Sequence, residues 1–492
     1  GGSSYGIEQA AKTYFNKSAQ HLTLPEASFL AGLPQAPTLY SPYVNPEGAI
    51  FRRNDVALKM KEIGLITQKQ YDEIIGTRLI VAPIKTYIKA PHFVFYVRSL
   101  LEEMYGNRFV EEGGLTVTTT LDFSLQEKVE DILQSELDEI KHLSVENGGV
   151  LVTIPSRGEI IAMAGSKDYF TAPGGAFNVT TAHRQPGSMM KPVMYSLALE
   201  KGVYSAASIL EDTPIVFSIL GSRPYSPVNY DGRFHGRIPL RYALANSYNV
   251  PAVKVLATIG MPAFIAHAQK MGITTWDSPK RYGLSLVLGG GEIKMTDAAV
   301  AFGVFANKGE KVDINPFLKI EDYHGSTLLK QKVKKERVLS EGVSFIISDI
   351  LSDNYARSFA FGIRSALEVK GVKVAVKTGT TDDKRDNWTT GYTPRFLTSV
   401  WVGNNNNTPM HPYLTSGITG AAPIWNKVMS ELLSDGAVSR YNVSPIKKEF
   451  TEPEGIVKQD CYNGRVEYFI EGTEGAQCKG TWYKLTPTPV IY

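Results

Sequence analysis

Apolar and polar positions along this 492-residue chain change period several times, and each change marks an element. Over the first 80 residues the spacing is helical. Thr23-x-x-Glu26 and Thr67-x-x-Gln70 read as capping boxes, in which side chains satisfy the exposed N–H groups of a helix start. Pro25 suits a first helical turn, and Gly32 and Gly64 suit helix ends. Leu24, Ala27, Leu30 and Ala31 predict one apolar face. The Thr- and Val-rich run from Leu115 to Leu121 predicts a strand, after which Leu125, Val129, Ile132, Leu133, Leu137 and Ile140 recur at helical spacing. Residues 149–154 and 159–164 predict two antiparallel strands around the turn 155–158, an expected start for a mixed sheet-and-helix domain. Residues 241–252 predict a helix ending in a loop that carries Ser247 and Asn249. The β-branched run 372–376 predicts an exposed strand leading into Lys377-Thr378-Gly379-Thr380. Trp388 and Tyr392 read as core packing.

Bulk numbers narrow the class. The length suggests about three domains at ~150 residues each. A composition 43% hydrophobic and 21% charged is that of a globular protein with a large core. The formal charge of +3 is near neutral, and no basic, aromatic-interleaved run argues for nucleic acid. No stretch reaches the ~18 apolar residues of a membrane span. The eight histidines are scattered without metal-ligand spacing, so neither metal nor cofactor is expected. His183 reads as structural. Cys461 and Cys478 are the only cysteines; they would pair in an exported protein and stay as thiols otherwise.

Candidate chemistry begins at His183-Arg-Gln-Pro-Gly-Ser-Met-Met-Lys-Pro192. Pro186-Gly187 breaks the preceding element, and Ser188 opening a helix would share a face with Lys191. A serine hydroxyl is a poor nucleophile without an adjacent base, and a lysine held neutral by its surroundings supplies one. Burial and a second cation, Lys377, are expected to keep Lys191 neutral, while Lys377 keeps its charge for a carboxylate. A helix N-terminus beside Ser188 would also favour a developing anion. Ser188-x-x-Lys191 alone is a weak signal. Ser247-x-Asn249 and Lys377-Thr378-Gly379 follow it in an order that chance seldom produces.

That ordered triple resembles the motif set of penicillin-binding proteins and serine β-lactamases. Tyr5–Phe15, 22–27, 31–37, Tyr40-Ser-Pro42 and Arg52-Arg-Asn54 resemble the closing third of the glycosyltransferase domain of class A, bifunctional penicillin-binding proteins. Ala90-Pro-His-Phe-Val94 and 113–122 resemble that family's linker, and 450–457 its tail. The resemblance implies a multidomain α/β chain. A helical, incomplete glycosyltransferase part (1–80) and a linker acting as a spacer (81–148) come first. A β-lactamase-like transpeptidase domain, an antiparallel sheet flanked by helices (149–435), and a C-terminal extension without catalytic residues (436–492) follow.

By the same resemblance, Ser188 is the nucleophile, Lys191 the base, and Ser247 a proton relay to the leaving amine. Asn249 holds Lys191 and the substrate peptide. Lys377, Thr378, Gly379 and Thr380 bind the substrate's terminal carboxylate, and the N–H groups of Ser188 and Thr380 form an oxyanion hole. The implied substrate is the D-Ala-D-Ala end of a peptidoglycan stem peptide, with β-lactams as covalent inhibitors. The polymerising glutamates of the family lie earlier than Gly1, and Glu8 and Glu26 read as structural. Polymerase activity is therefore expected to be absent, and a membrane anchor is expected upstream, on the extracytoplasmic face of a bacterial membrane. A non-catalytic β-lactam sensor and a serine β-lactamase are the rivals. Met189-Met190 departs from the family's more frequent Ser-Phe type pair, with altered packing expected and the chemistry unchanged.

Overall fold

A computed structural model describes residues 6–37, 39–83, 88–172, 174–218, 224–412, 416–434, 441, 450–474 and 478. The chain divides into two compact units, Gly1–Lys89 and Ala90–Tyr492.

The first unit is built from helices Gly6–Phe15, Leu24–Gly32, Pro46–Glu62 and Gln68–Gly76. Thr67 forms a full capping box: its N–H donates to Gln70 Oε1 at 2.8 Å, and its Oγ1 accepts the Gln70 N–H at 3.3 Å. Phe29 packs edge-on against Tyr14 and Phe15, with centroids 5.6 and 5.9 Å away. Those rings set the buried face of Leu24–Gly32, which comprises Pro25, Ser28, Phe29, Leu30 and Gly32. The expected face is thus rotated: Leu30 is buried, Leu24 and Ala27 are half-buried, and Ala31 is exposed.

The second unit centres on a five-stranded antiparallel sheet. We number its strands β1 (Asn147–Ile154), β2 (Glu159–Ala164), β3 (Ala375–Thr380), β4 (Asp386–Tyr392) and β5 (Leu397–Gly403). Their spatial order is β3-β4-β5-β1-β2, so β2 and β3 are the edges. Both faces are covered, and successive side chains enter different cores. Leu151 joins Trp388 and Trp401 in one cluster, roofed by helices that include Lys191–Glu200, Met295–Ala306 and Glu341–Ser352. Val150 and Val152 join Val376, Val400 and Trp425 in the other, under Phe123–Glu139 and Ala421–Leu432. The predicted strand near Leu115 is Thr116–Thr119, paired with Phe317–Glu321.

Two local predictions change. β3 starts at Ala375 and contains the Lys-Thr-Gly residues, with Lys377 and Thr378 buried. The segment 241–252, expected as a helix ending in a loop with Ser247 and Asn249, has its loop at Ser247, but Asn249 begins a second helix: the elements are Leu240–Ala245 and Asn249–Ile259. Between them Ser247 adopts φ +61°, a left-handed conformation that ends one helix and lets Asn249 start the next.

In the tail, Ile456–Asp460 and Val466–Ile470 form a hairpin, and Cys461 is disulfide-bonded to Cys478. Tyr462 and Phe469 join the first core cluster, so this hairpin is docked on the domain. No single described helix is long and apolar enough to cross a membrane.

Candidate active site

Ser188 lies in a 3-10 turn, Gly187–Met190, that runs directly into helix Lys191–Glu200. The turn is pressed onto the β3 edge by close backbone contacts. Gly187 has φ +57°, and a Cβ there would sit 2.6 Å from Thr380 N. A Cβ on Gly379 would sit 2.0 Å from Pro186 O, and one on Gly289 (φ +91°) 2.1 Å from Gly187 N. The buried Trp388 indole on β4 donates to Gln185 O at 2.8 Å, so its side chain anchors the turn as well as filling the core. Met189 and Met190 are both buried, Met189 within 3.6 Å of Thr390 Oγ1.

Ser188 itself is half-buried. Although the two were expected to share a helix face, no hydrogen bond links Lys191 to Ser188 among the described contacts. Instead Lys191, fully buried, donates to Asn249 Oδ1 at 2.6 Å and to Ser247 O, and lies 3.3 Å from Ser247 Oγ. Lys377 Nζ donates to Ser247 Oγ at 2.8 Å and to Thr378 O at 2.9 Å. Lys191, Ser247, Asn249 and Lys377 therefore meet in one cluster. Ser188 and Thr380 flank it on the adjoining turn and strand, and Thr378 is buried on β3.

Both lysines are perturbed. Burial, then the nearby Lys377 charge, holds Lys191 well below the usual lysine range. Burial, then Arg357, lowers Lys377 to about 7. Lys377 thus departs from the expectation that it simply keeps its charge: near neutral pH it is divided between two protonation states. A neutral Lys191 fits the contacts. Its two N–H bonds serve Ser247 O and Asn249 Oδ1, leaving a lone pair for the Ser247 hydroxyl proton.

His183 is exposed. Among the described residues no group of three or more His, Cys, Asp or Glu side chains could hold a metal ion. In the first unit, Glu8 accepts the Ala19 N–H at 2.8 Å and pairs with Lys12, while Glu26 accepts the Thr23 N–H and Lys17 Nζ, each at 2.8 Å or slightly more. Both carboxylates are engaged at helix ends. Sequence reasoning assigns no role to Gly289 or to the support behind Asn249; their place in the fold supplies one.

Residues 148–430 match the family model of the penicillin binding protein transpeptidase domain, and residues 1–61 match that of the transglycosylase. Penicillin-binding protein 1A of Aquifex aeolicus is 30% identical over 96% of this chain and 75% of its own length. Penicillin-binding protein 2D of Bacillus subtilis is 29% identical over 98% of this chain and 70% of its own. The Haemophilus influenzae penicillin-binding protein 1A structure superposes with a TM-score of 0.70 at 22% identity, covering 97% of this chain and 90% of that one. The PonA1 protein of Mycobacterium tuberculosis, solved with penicillin V, gives 0.60 at 22% identity over 71% of this chain and 94% of that one. The chain belongs to the class A penicillin-binding proteins.

Proposed function

We propose that this chain cross-links peptidoglycan stem peptides by serine acyl transfer. The observation that carries this reading is the Lys377–Ser247–Lys191–Asn249 cluster beside the Ser188 turn at an open sheet edge. An extended D-Ala-D-Ala end would lie along β3, where an edge strand offers unpaired backbone groups. Lys377, Thr378 and Thr380 would take its carboxylate. Ser188 Oγ attacks the penultimate carbonyl and passes its proton to Lys191. The N–H groups of Ser188 and Thr380 hold the oxyanion, each worth on the order of 3 kcal/mol of barrier. As the C–N bond breaks, Ser247 delivers its proton to the leaving D-Ala amine and regains one from Lys191, which lies 3.3 Å away. An amine of a neighbouring stem then attacks the ester and frees Ser188. A β-lactam would form the same ester by ring opening.

The hydrogen bonds of Glu8 and Glu26 at helix ends support a structural role for each carboxylate. Kinship with cell-wall enzymes and the Cys461–Cys478 bond support an oxidising, extracytoplasmic location. The test is penicillin labelling: intact mass should show one adduct, mapped to the peptide carrying Ser188 and lost in Ser188→Ala. An added amine should accept the acyl group from a thioester substrate. Rapid hydrolysis of penicillin would indicate a β-lactamase, and an adduct that turns over no substrate a sensor.

A further inference from the structure

The Asn249 amide is oriented from behind. Its Nδ2 donates to Val228 O at 2.8 Å, which directs Oδ1 toward Lys191. Its backbone N–H donates to Asn229 Oδ1 at 2.7 Å, an oxygen that also takes the Val250 N–H at 3.3 Å. The Asn229 Nδ2 in turn donates to Arg233 O at 2.7 Å and to the two oxygens of Asp212 at 2.9 and 2.8 Å. Asp212 is wholly buried, and Asn229 is 3% exposed.

The same carboxylate reaches the motif by a second route. Asp212 Oδ2 accepts the His235 backbone N–H at 2.9 Å and faces His235 Nδ1 at 2.6 Å. The His235 ring stacks on Tyr248, the middle residue of the motif, with centroids 3.9 Å apart and planes 17° from parallel. Burying a carboxylate is costly unless its acceptor sites are filled. Here they are filled by groups that lead to Asn249 and Tyr248.

We infer that Asp212 and Asn229 are positioning residues for the transpeptidase site, holding the Asn249 carbonyl oxygen toward Lys191 across the left-handed turn at Ser247. This rests on the reading given above. Asn229 is suited to the place because it accepts from the helix start and donates to the carboxylate. With an aspartate at 229, two carboxylates would oppose each other and the turn would lose its anchor. With an asparagine at 212 as well, its Nδ2 donates to the carboxylate at 229 and the bridge between the two side chains re-forms in reverse, while Arg233 O stays without its donor.

The experiment is stopped-flow acylation of the full chain by a fluorescent penicillin. It separates the saturating acylation rate from the apparent Kd, with rates taken on the fraction that titrates at end-point. Asn229→Asp and Asp212→Asn should each lower the saturating rate about 10-fold or more, with Kd changed much less. The double variant should recover at least about fivefold over the worse single one. Where a single variant leaves no titratable fraction, Asn229→Ala, which removes the acceptor and the donor together, carries the same readout. Single variants within about twofold of the parent rate, or a double variant no better than the worse single, overturn the inference. A parent chain that is not acylated at Ser188 overturns the underlying reading instead.

Discussion

Lys377 Nζ donates to Ser247 Oγ at 2.8 Å, and this contact gives direction to the protons on that side of the site. A hydroxyl that accepts from an ammonium has its own proton free for another acceptor. The Lys191 amine lies 3.3 Å away on the other side and is driven toward neutrality by burial and by Lys377. The two lysines are thus unlike in role: one polarises the Ser247 hydroxyl, and the other faces its proton.

Lys191 is predicted to act as the base. Arginine does not deprotonate in proteins, so Lys191→Arg should lose penicillin acylation nearly as completely as Lys191→Ala. The loss should be ~10²–10⁴-fold, as is typical of an absent general base. Acylation rates of the two variants across pH check this. If Lys191→Arg acylates near the parent rate, Lys191 is only an electrostatic support.

Lys377 should impose an alkaline limit. Its pKa of about 7 means that the ammonium is lost as pH rises through that value, taking the carboxylate partner with it. The apparent second-order rate of acylation should therefore fall above about pH 7. A bound carboxylate favours the charged lysine, so the saturating rate should hold to higher pH than the second-order rate. Lys377→Arg, always charged, should remove the alkaline fall. It should also lose activity, because the fork has little room at a buried site, yet remain more active than Lys377→Ala.

Much of this was legible in the chain. The motif spacing identified the residues that converge, and the two apolar runs around the turn 155–158 identified the β1–β2 hairpin. What escaped depends on long-range contacts, which no period encodes. Ala31 carries the helical pattern but is exposed, because the Phe15 and Tyr14 rings draw Phe29 inward. Ser247 lies in the loop expected after the first helix, but the second helix that starts at Asn249 is not legible from the pattern. The lowered pKa of Lys377 is not legible in the chain because its burial and the neighbouring Arg357 come from separate segments. Asn229 and Asp212 belong to no recognisable motif and emerge only through their bonds.

Gly187 is predicted to be indispensable for reasons of backbone. An added Cβ meets the Thr380 main chain at 2.6–2.9 Å, and the φ of +57° is unfavourable for other residues. Gly187→Ala should cost roughly 1–3 kcal/mol of stability or displace the turn. Either way acylation should fall more than it does for Gly202→Ala, a control at φ +65° whose Cβ meets nothing within 4 Å. Equal rates for the two variants would refute the close-packing argument.

The tail hairpin should matter for stability through one buried ion pair. Arg241 donates to Glu467 through Nε at 2.8 Å and through Nη2, and neither side chain is exposed to solvent. Arg241 stands on the helix just before Ser247, so the pair ties the tail to the segment that carries the relay serine. Burial raises the Glu467 pKa, but the Arg241 charge and hydrogen bonds outweigh it and hold the carboxyl below its ordinary value. A carboxylate with a depressed folded pKa contributes stability that is complete above the unfolded value. That contribution is lost as pH falls through the folded one. The parent should thus lose part of its stability below about pH 4.5, and Glu467→Gln should lack that component. Removing one partner of a buried pair typically costs 3–5 kcal/mol. Asp349 at 2.7 Å and Asp353 at 3.4 Å still face Arg241, which places the expected loss near ~3 kcal/mol. Thermal melts of Glu467→Gln at pH 7 and pH 4 measure both effects. A melting temperature unchanged at pH 7, or a gap from the parent that does not narrow at pH 4, would show that the pair is not what holds the hairpin.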